Sequence, residues 1–198
     1  MLSIGNNQLK EKVKDQILAS ILMKKSMVES CVSDIEAAAK IMINSIRNGG
    51  KILWCGNGGS AGDAQHLAAE LMGGMNSHER KPIPSIALTT DSSFLTAWSN
   101  DTDFESVFSR QVQGLGQEGD VLVGISTSGN SNNVITAIKQ AKYKGLKTVV
   151  FTGQFGGMMK NLADVTIYVP SKDTQRIQEG HIMMGQIICG LIEDDFMT

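Results

Sequence analysis

The chain has 198 residues, 41% of them hydrophobic and 19% charged, the make-up of a globular protein long enough to bury a core. A net charge of -2 and a pI near 5.9 give no electrostatic footprint for nucleic acid or an anionic membrane. No apolar run approaches the roughly 20 residues needed to span a bilayer.

Residues 1–6 carry no basic segment followed by an apolar core, so no secretory signal is expected. Cys31, Cys55 and Cys189 are odd in number and far apart, which fits reduced thiols in a cytoplasmic protein. Over 8–27, apolar residues recur at Leu9, Val13, Ile17 and Ile21, widened by Leu18 and Leu22, and predict an amphipathic helix. Ser33-Asp34-Ile35-Glu36 has the spacing of a capping box, and the helix it would open carries Ile35, Ala38, Ala39, Met42 and Ile46 up to the stop Asn48-Gly49-Gly50. No strand precedes these two helices. They read as an extension, 1–49, that packs either on another subunit or on its own domain.

After Gly50 the pattern alternates strand and helix. Strands are expected near 51–55, 85–89, 120–126, 147–152 and 165–169, and helices near 60–72, 91–100, 104–115, 132–143, 158–162 and 174–195. The strands are almost continuously apolar, as in a sheet covered on both faces. The expected fold is α/β: a doubly wound, five-stranded parallel sheet flanked by helices, forming with the extension one domain over 1–198. Ligands of such a sheet sit at the carboxyl ends of the strands.

Two of the strand-to-helix turns stand out. Gly124-Ile-Ser-Thr-Ser-Gly-Asn-Ser131 leaves an apolar strand and opens a helix, offering hydroxyls, free N–H groups and a positive helix end to a small anion. Cys55-Gly-Asn-Gly-Gly-Ser60 does the same with glycines, and the helix it opens bears His66 and Glu70. That pair is four residues apart on one face; it reads either as a surface pair or as a base or metal-ligating pair beside the anion. The 153–157 turn, Gly-Gln-Phe-Gly-Gly, needs no more than packing to explain it, His78 reads as a solvated loop histidine, and His181 as a packed or interface one. No Gly-x-x-x-x-Gly-Lys-Ser/Thr appears and no Gly-x-Gly-x-x-Gly follows a strand, which argues against a nucleoside triphosphate and a dinucleotide; serine hydrolysis is not expected either.

With Asp63-Ala-Gln-His66 and Arg176-Ile-Gln-Glu179, these turns make the chain resemble the sugar-isomerase (SIS) domain proteins, and among them the phosphoheptose isomerases, over nearly its whole length. The resemblance implies a SIS, flavodoxin-like sheet, a homotetramer built partly through the N-terminal helices, and cytosolic isomerisation of sedoheptulose 7-phosphate to D-glycero-D-manno-heptose 7-phosphate. That step opens activated-heptose synthesis for lipopolysaccharide core or other surface glycans. Carried over by position, Ser126, Thr127, Ser128 and Ser131 would hold the phosphate. Asn57, Gly58, Gly59, Asn100, Asp101 and Gln178 would meet the sugar, and Glu70 would move a proton between C1 and C2. Zinc would be bound by His66, Glu70, Gln178 and the residue at 186.

At 186 the family has a histidine that is also its second acid/base group, and this chain has Gln186. A carboxamide does not shuttle protons near neutral pH, so reduced activity is expected. Eight residues of helix rise roughly 12 Å, so Gln178 and Gln186 meet one ion only if Gln178 leaves the helix or another subunit contributes. The competing reading from the same subfamily is a non-catalytic tetramer that binds the bacterial replication initiator DnaA.

Overall fold

The computed structural model describes residues 6–197, so the segment read for a secretory signal lies outside them but for Asn6. The first helices, α1 (Asn6–Ser30) and α2 (Val32–Arg47), meet at Cys31. The Cys31 amide still donates to the Met27 carbonyl at 2.9 Å, and the Ile35 amide to Cys31 at 2.9 Å. Helical hydrogen bonding thus runs through the junction. The expected capping box is therefore not formed: α2 starts at Val32 with no side-chain cap, and Ser33 lies inside its first turn. Carbonyls of α1 already serve the amides that a cap would serve. The predicted stop is observed, with Gly49 at φ +82° and the Asn48 side chain on the Asn44 carbonyl at 2.7 Å.

Five strands follow: β1 (Ile52–Gly56), β2 (Ser85–Ala87), β3 (Val121–Ser126), β4 (Lys147–Gly153) and β5 (Val165–Val169). Between and after them lie α3 (Gly59–Gly73), α4 (Ser92–Asp101), α5 (Val107–Leu115), α6 (Asn132–Tyr143) and α7 (Thr174–Met197). All strand pairs are parallel, in the order β2-β1-β3-β4-β5. This is the expected doubly wound sheet. Every residue of β1 and β3 is buried, which is why their sequences run apolar without alternation. Trp54, Val123, Ile125 and Phe151 pack toward α1, α2, α3 and α7, while Leu53, Leu122 and Val150 pack toward α5 and α6.

Two expected elements differ. Helix 158–162 is reduced to a single 3-10 turn, Gly157–Met159, bounded by left-handed Gly156 and Asn161. The helix expected from 104 starts at Val107, because the Asp103 carboxylate accepts the Ser106 amide at 2.6 Å and holds the preceding residues in a turn. His181 is fully buried and packs 6.1 Å from the Phe151 ring, and burial pushes its pKa down to about 4. His78 is exposed in its loop.

The apolar stripe of α1 does not pack on its own chain. Val13 is 59% and Leu22 63% exposed, with Leu9, Ile17, Leu18 and Ile21 similarly open, and only Met23 and Met27 reach the core. No helix among the described residues is long and apolar enough to cross a membrane.

A buried ion pair ties α7 to the loop after α3. Glu193 is fully buried and accepts from the amides of Met75, Asn76 and Ser77 at 2.9–3.2 Å and from Arg80 Nε at 2.9 Å. Arg80, its side chain 4% exposed, also donates to the Glu70 carbonyl at 2.8 Å. Burial alone would raise the Glu193 pKa, but the Asn76 and Ser77 amides and the Arg80 guanidinium outweigh it and hold the carboxyl below 4.5. A depressed carboxyl contributes stability above its unfolded pKa and loses it as pH falls through the folded one. Glu193→Gln, which leaves the guanidinium buried without its counter-charge, should lose about 3–5 kcal/mol at pH 7. Denaturant melts should show this gap shrinking as pH drops below 4.5; a gap independent of pH would mean that the charge is not what stabilises the loop.

Candidate active site

The chain leaves β1 toward β2 at one edge and later returns to pair β3 on the other side of β1, so the strand order switches between β1 and β3. There the crossover helices depart to opposite faces and leave a crevice. The register Cys55↔Gly124 and Gly56↔Ile125 sets the glycine turn and the hydroxyl turn side by side over it. The two turns are joined directly. Asn57 and Asn133 exchange a pair of amide hydrogen bonds, each 2.9 Å, and Asn133 is buried.

In the hydroxyl turn, Ser126 is buried, and its Oγ lies 2.9 Å from Ser131 Oγ and 3.5 Å from Ser128 Oγ. Ser131 stands at the N-cap of α6 but does not cap it with its side chain, so its hydroxyl belongs to the serine cluster. Three hydroxyls thus converge at a helix start, an arrangement that suits a phosphate. Thr127, Ser128 and Asn130 also line a cavity of about 310 Å³, closed on its far side by the 153–157 turn and the start of α7. Close packing forms that wall: Gly129 has φ +67°, and a Cβ there would collide with the Gly156 carbonyl. The 153–157 turn, which packing alone explained in the sequence, therefore also bounds the cavity.

In the glycine turn, Gly58 takes φ +54° and Gly59 begins α3. Ser60, Asp63, His66 and Glu70 then descend one face of α3 opposite α7. Gln178 lies against Gly59, donates to Asp63 through Nε2, and its Oε1 is 3.4 Å from Ser60 Oγ. Burial pushes Asp63 up to about 6, against the opposing effects of the Gln178 hydrogen bond and His66. Further along the helix, His66 Nε2 is 3.0 Å from Glu70 Oε1 and 3.3 Å from Gln186 Nε2. His66 is half exposed, so the group is open to solvent.

The structure thus gathers His66, Glu70 and Gln186 into one group and places Gln178 two turns away on Asp63, as the 12 Å helical rise requires. Among the described residues no cluster of three or more His, Cys, Asp and Glu is placed to hold a metal ion. His66 and Glu70, 3.0 Å apart, supply two possible donors, and Gln186, which faces His66 through Nε2, would add a third only by presenting its Oε1 instead. Asn100 and Asp101 end α4 and bond to each other at 2.8 Å; among the described residues no hydrogen bond ties them to either turn.

Two residues of the site were given no role in the sequence reading, although Asp63 opens one of its motifs. Asp63 was legible, lying three residues before His66 and seven before Glu70 and so on the same helical face. Asn133 was not, because its partner is 76 residues away and only the strand order brings them together.

A parallel sheet with a phosphate-suited turn and a His–Glu helix at its switch point defines an α/β protein that handles small phosphorylated ligands. The comparisons are more specific. The SIS domain family model matches residues 18–153. The chain is 49% identical over 189 residues to the phosphoheptose isomerase of Sulfurimonas denitrificans, covering 94% of this chain and 96% of that one. It is 50% identical over 184 residues to that of Aquifex aeolicus, covering 93% and 96%. A solved phosphoheptose isomerase from Neisseria gonorrhoeae superposes with a TM-score of 0.88 at 46% identity, covering 94% of this chain and 99% of that one. The chain belongs to the SIS domain family and, within it, to the phosphoheptose isomerases, a family of sugar-phosphate isomerising enzymes.

The amide pair between the turns gives a direct test of this geometry. Asn133→Ala leaves the Asn57 side chain without its partner and should cost about 1–3 kcal/mol in thermal or denaturant unfolding. It should also weaken sugar-phosphate binding, since both turns lose their mutual fixing. Unchanged stability and affinity would show that the turns are held independently of one another.

Proposed function

We propose that this chain interconverts sedoheptulose 7-phosphate and D-glycero-D-manno-heptose 7-phosphate through an enediol, the first step toward activated heptose for lipopolysaccharide core or another surface glycan. The observation that supports it most is the juxtaposition across the β1/β3 switch. The serine cluster can take the phosphate while Glu70 stands on the neighbouring helix beside His66. In this reading Ser126, Thr127, Ser128 and Ser131 bind the phosphate. Asn57, Gly58, Gly59, Gln178, Asn100 and Asp101 address the sugar hydroxyls, the last two after closer approach of α4 or from a neighbouring subunit.

Glu70 takes the proton from C1 of the ketose, leaving the enediol, and returns it to C2 to give the aldose. The accompanying transfer between O1 and O2 needs a second proton carrier, which Gln186 cannot be. A zinc ion held by His66, Glu70 and Gln186 would polarise the sugar carbonyl, and Gln178 would join the set only by leaving Asp63. A carboxamide is a weaker zinc ligand than imidazole, so affinity for the metal is lowered as well. The exposed stripe of α1 supports a homotetramer, and three free, buried cysteines suit a reducing cytoplasm.

The test is turnover of sedoheptulose 7-phosphate by this chain and by Gln186→His. The chain should bind normally and turn over slowly, with Gln186→His raising kcat by about 10²-fold or more, the contribution of one positioned acid. Glu70→Gln in the repaired background should abolish the gain. Equal rates for the chain and Gln186→His would remove position 186 from catalysis. Absence of turnover in both, with capture of DnaA by the tetramer, would favour the second reading, the non-catalytic DnaA-binding tetramer to which Gln186 also points.

The phosphate assignment has its own measurement. Ser128→Ala removes one hydroxyl of the cluster and should weaken sugar-phosphate binding about 10-fold or more, since a hydrogen bond to a charged group contributes about 1.5–3 kcal/mol. Calorimetry that finds equal affinity for sedoheptulose and its 7-phosphate would refute the assignment.

A further inference from the structure

The cavity beside the serine cluster contains one charged side chain to which the reaction gives no role. Of all the residues that line it, only Lys172 carries charge; the others are hydroxyl, carboxamide, glycine and apolar residues. Lys172 sits just before α7, and its Nζ lies 5.4 Å from the centroid of the Phe155 ring. Phe155 is 67% exposed on the opposing turn, and its ring holds the ammonium by a cation–π contact. The neighbouring Asp173 does not line the cavity, and its carboxylate is used by the Gln175 amide at 2.9 Å.

A phosphate monoester carries about -1.5 to -2 charges at pH 7. Serine and threonine hydroxyls are neutral, and a helix N-terminus supplies only about half a positive charge. About one negative charge or more is therefore left unmatched in the serine cluster. We propose that Lys172 is the cation of the phosphate subsite, parked on the Phe155 ring and drawn across the cavity to the phosphate when substrate binds. Its flexible four-carbon stem and compact ammonium suit such a reach better than a planar guanidinium would. The inference rests on the phosphate reading of the 126–131 turn and adds a specificity-determining residue to it.

Calorimetric titration with sedoheptulose 7-phosphate tests this without requiring turnover. Lys172→Gln should bind about 10-fold more weakly, the effect of one charge-assisted hydrogen bond at an exposed site. Lys172→Arg should restore most of the affinity, because it keeps the charge. Affinity for unphosphorylated sedoheptulose should be the same in all three proteins. The loss of affinity with added salt should be shallower in Lys172→Gln, since one ionic contact has gone. If Lys172→Gln binds as tightly as the parent while Ser128→Ala binds weakly, Lys172 has no part in the subsite and the phosphate reading stands. If neither substitution changes the affinity, the phosphate lies elsewhere and the inference falls with the reading.

Discussion

The pairing of β1 with β3 is the constraint on which the site depends. Those two strands are neighbours in space but are separated in the chain by α3, β2, α4 and α5, and their following helices leave toward opposite faces of the sheet. No crossover fills the space between them. Parallel register brings Gly56 level with Ile125, so both turns begin at the same height. The Asn57–Asn133 pair then fixes one turn against the other. A shift of one residue in that register would bury the serines or move them away from the glycine turn.

The opposite wall of the site has a different origin. Glu70 lies near the end of α3, where helices ordinarily fray. Here the last turn is held from outside: Arg80 bonds the Glu70 carbonyl, and buried Glu193 bonds Arg80 and three amides of the following loop. Desolvating both charges is costly, and the geometry compensates by giving each several partners. The result is a helix end held from outside that carries the Glu70 carboxylate while the side chains of His66 and Gln186 remain accessible.

Hydroxyl-rich and titratable groups are thereby separated in space. The 126–131 turn offers hydroxyls, amides and a helix end, none of which changes protonation near neutral pH. Titratable side chains are collected on α3. Under the proposed function, that division would let the remote phosphate supply binding free energy while the reacting carbons face the Glu70 carboxylate. It also leaves Gln186 beside His66 and apart from the 126–131 turn, which keeps all its hydroxyls.

Much of this was determined by the sequence. Nearly continuous apolar runs marked the strands, most fully β1 and β3, because a strand covered on both faces has few polar positions to interrupt it. The two turns were legible because glycines and hydroxyls gather where backbone N–H groups must be left open. The face shared by His66 and Glu70 followed from helical periodicity alone. Local pattern failed where neighbours outside the window decide. Ser33 looked like a cap, but α1 runs on to satisfy the amides it would have served, and the residues after Gly157 looked helical until two left-handed positions broke them. The partnership of Asn57 with Asn133, the burial of Glu193 on Arg80, and the contact of Gln186 with His66 were decided only by the tertiary structure. Each depends on which helix lies over which strand, and chain separations of 76, 113 and 120 residues carry no local signal of it.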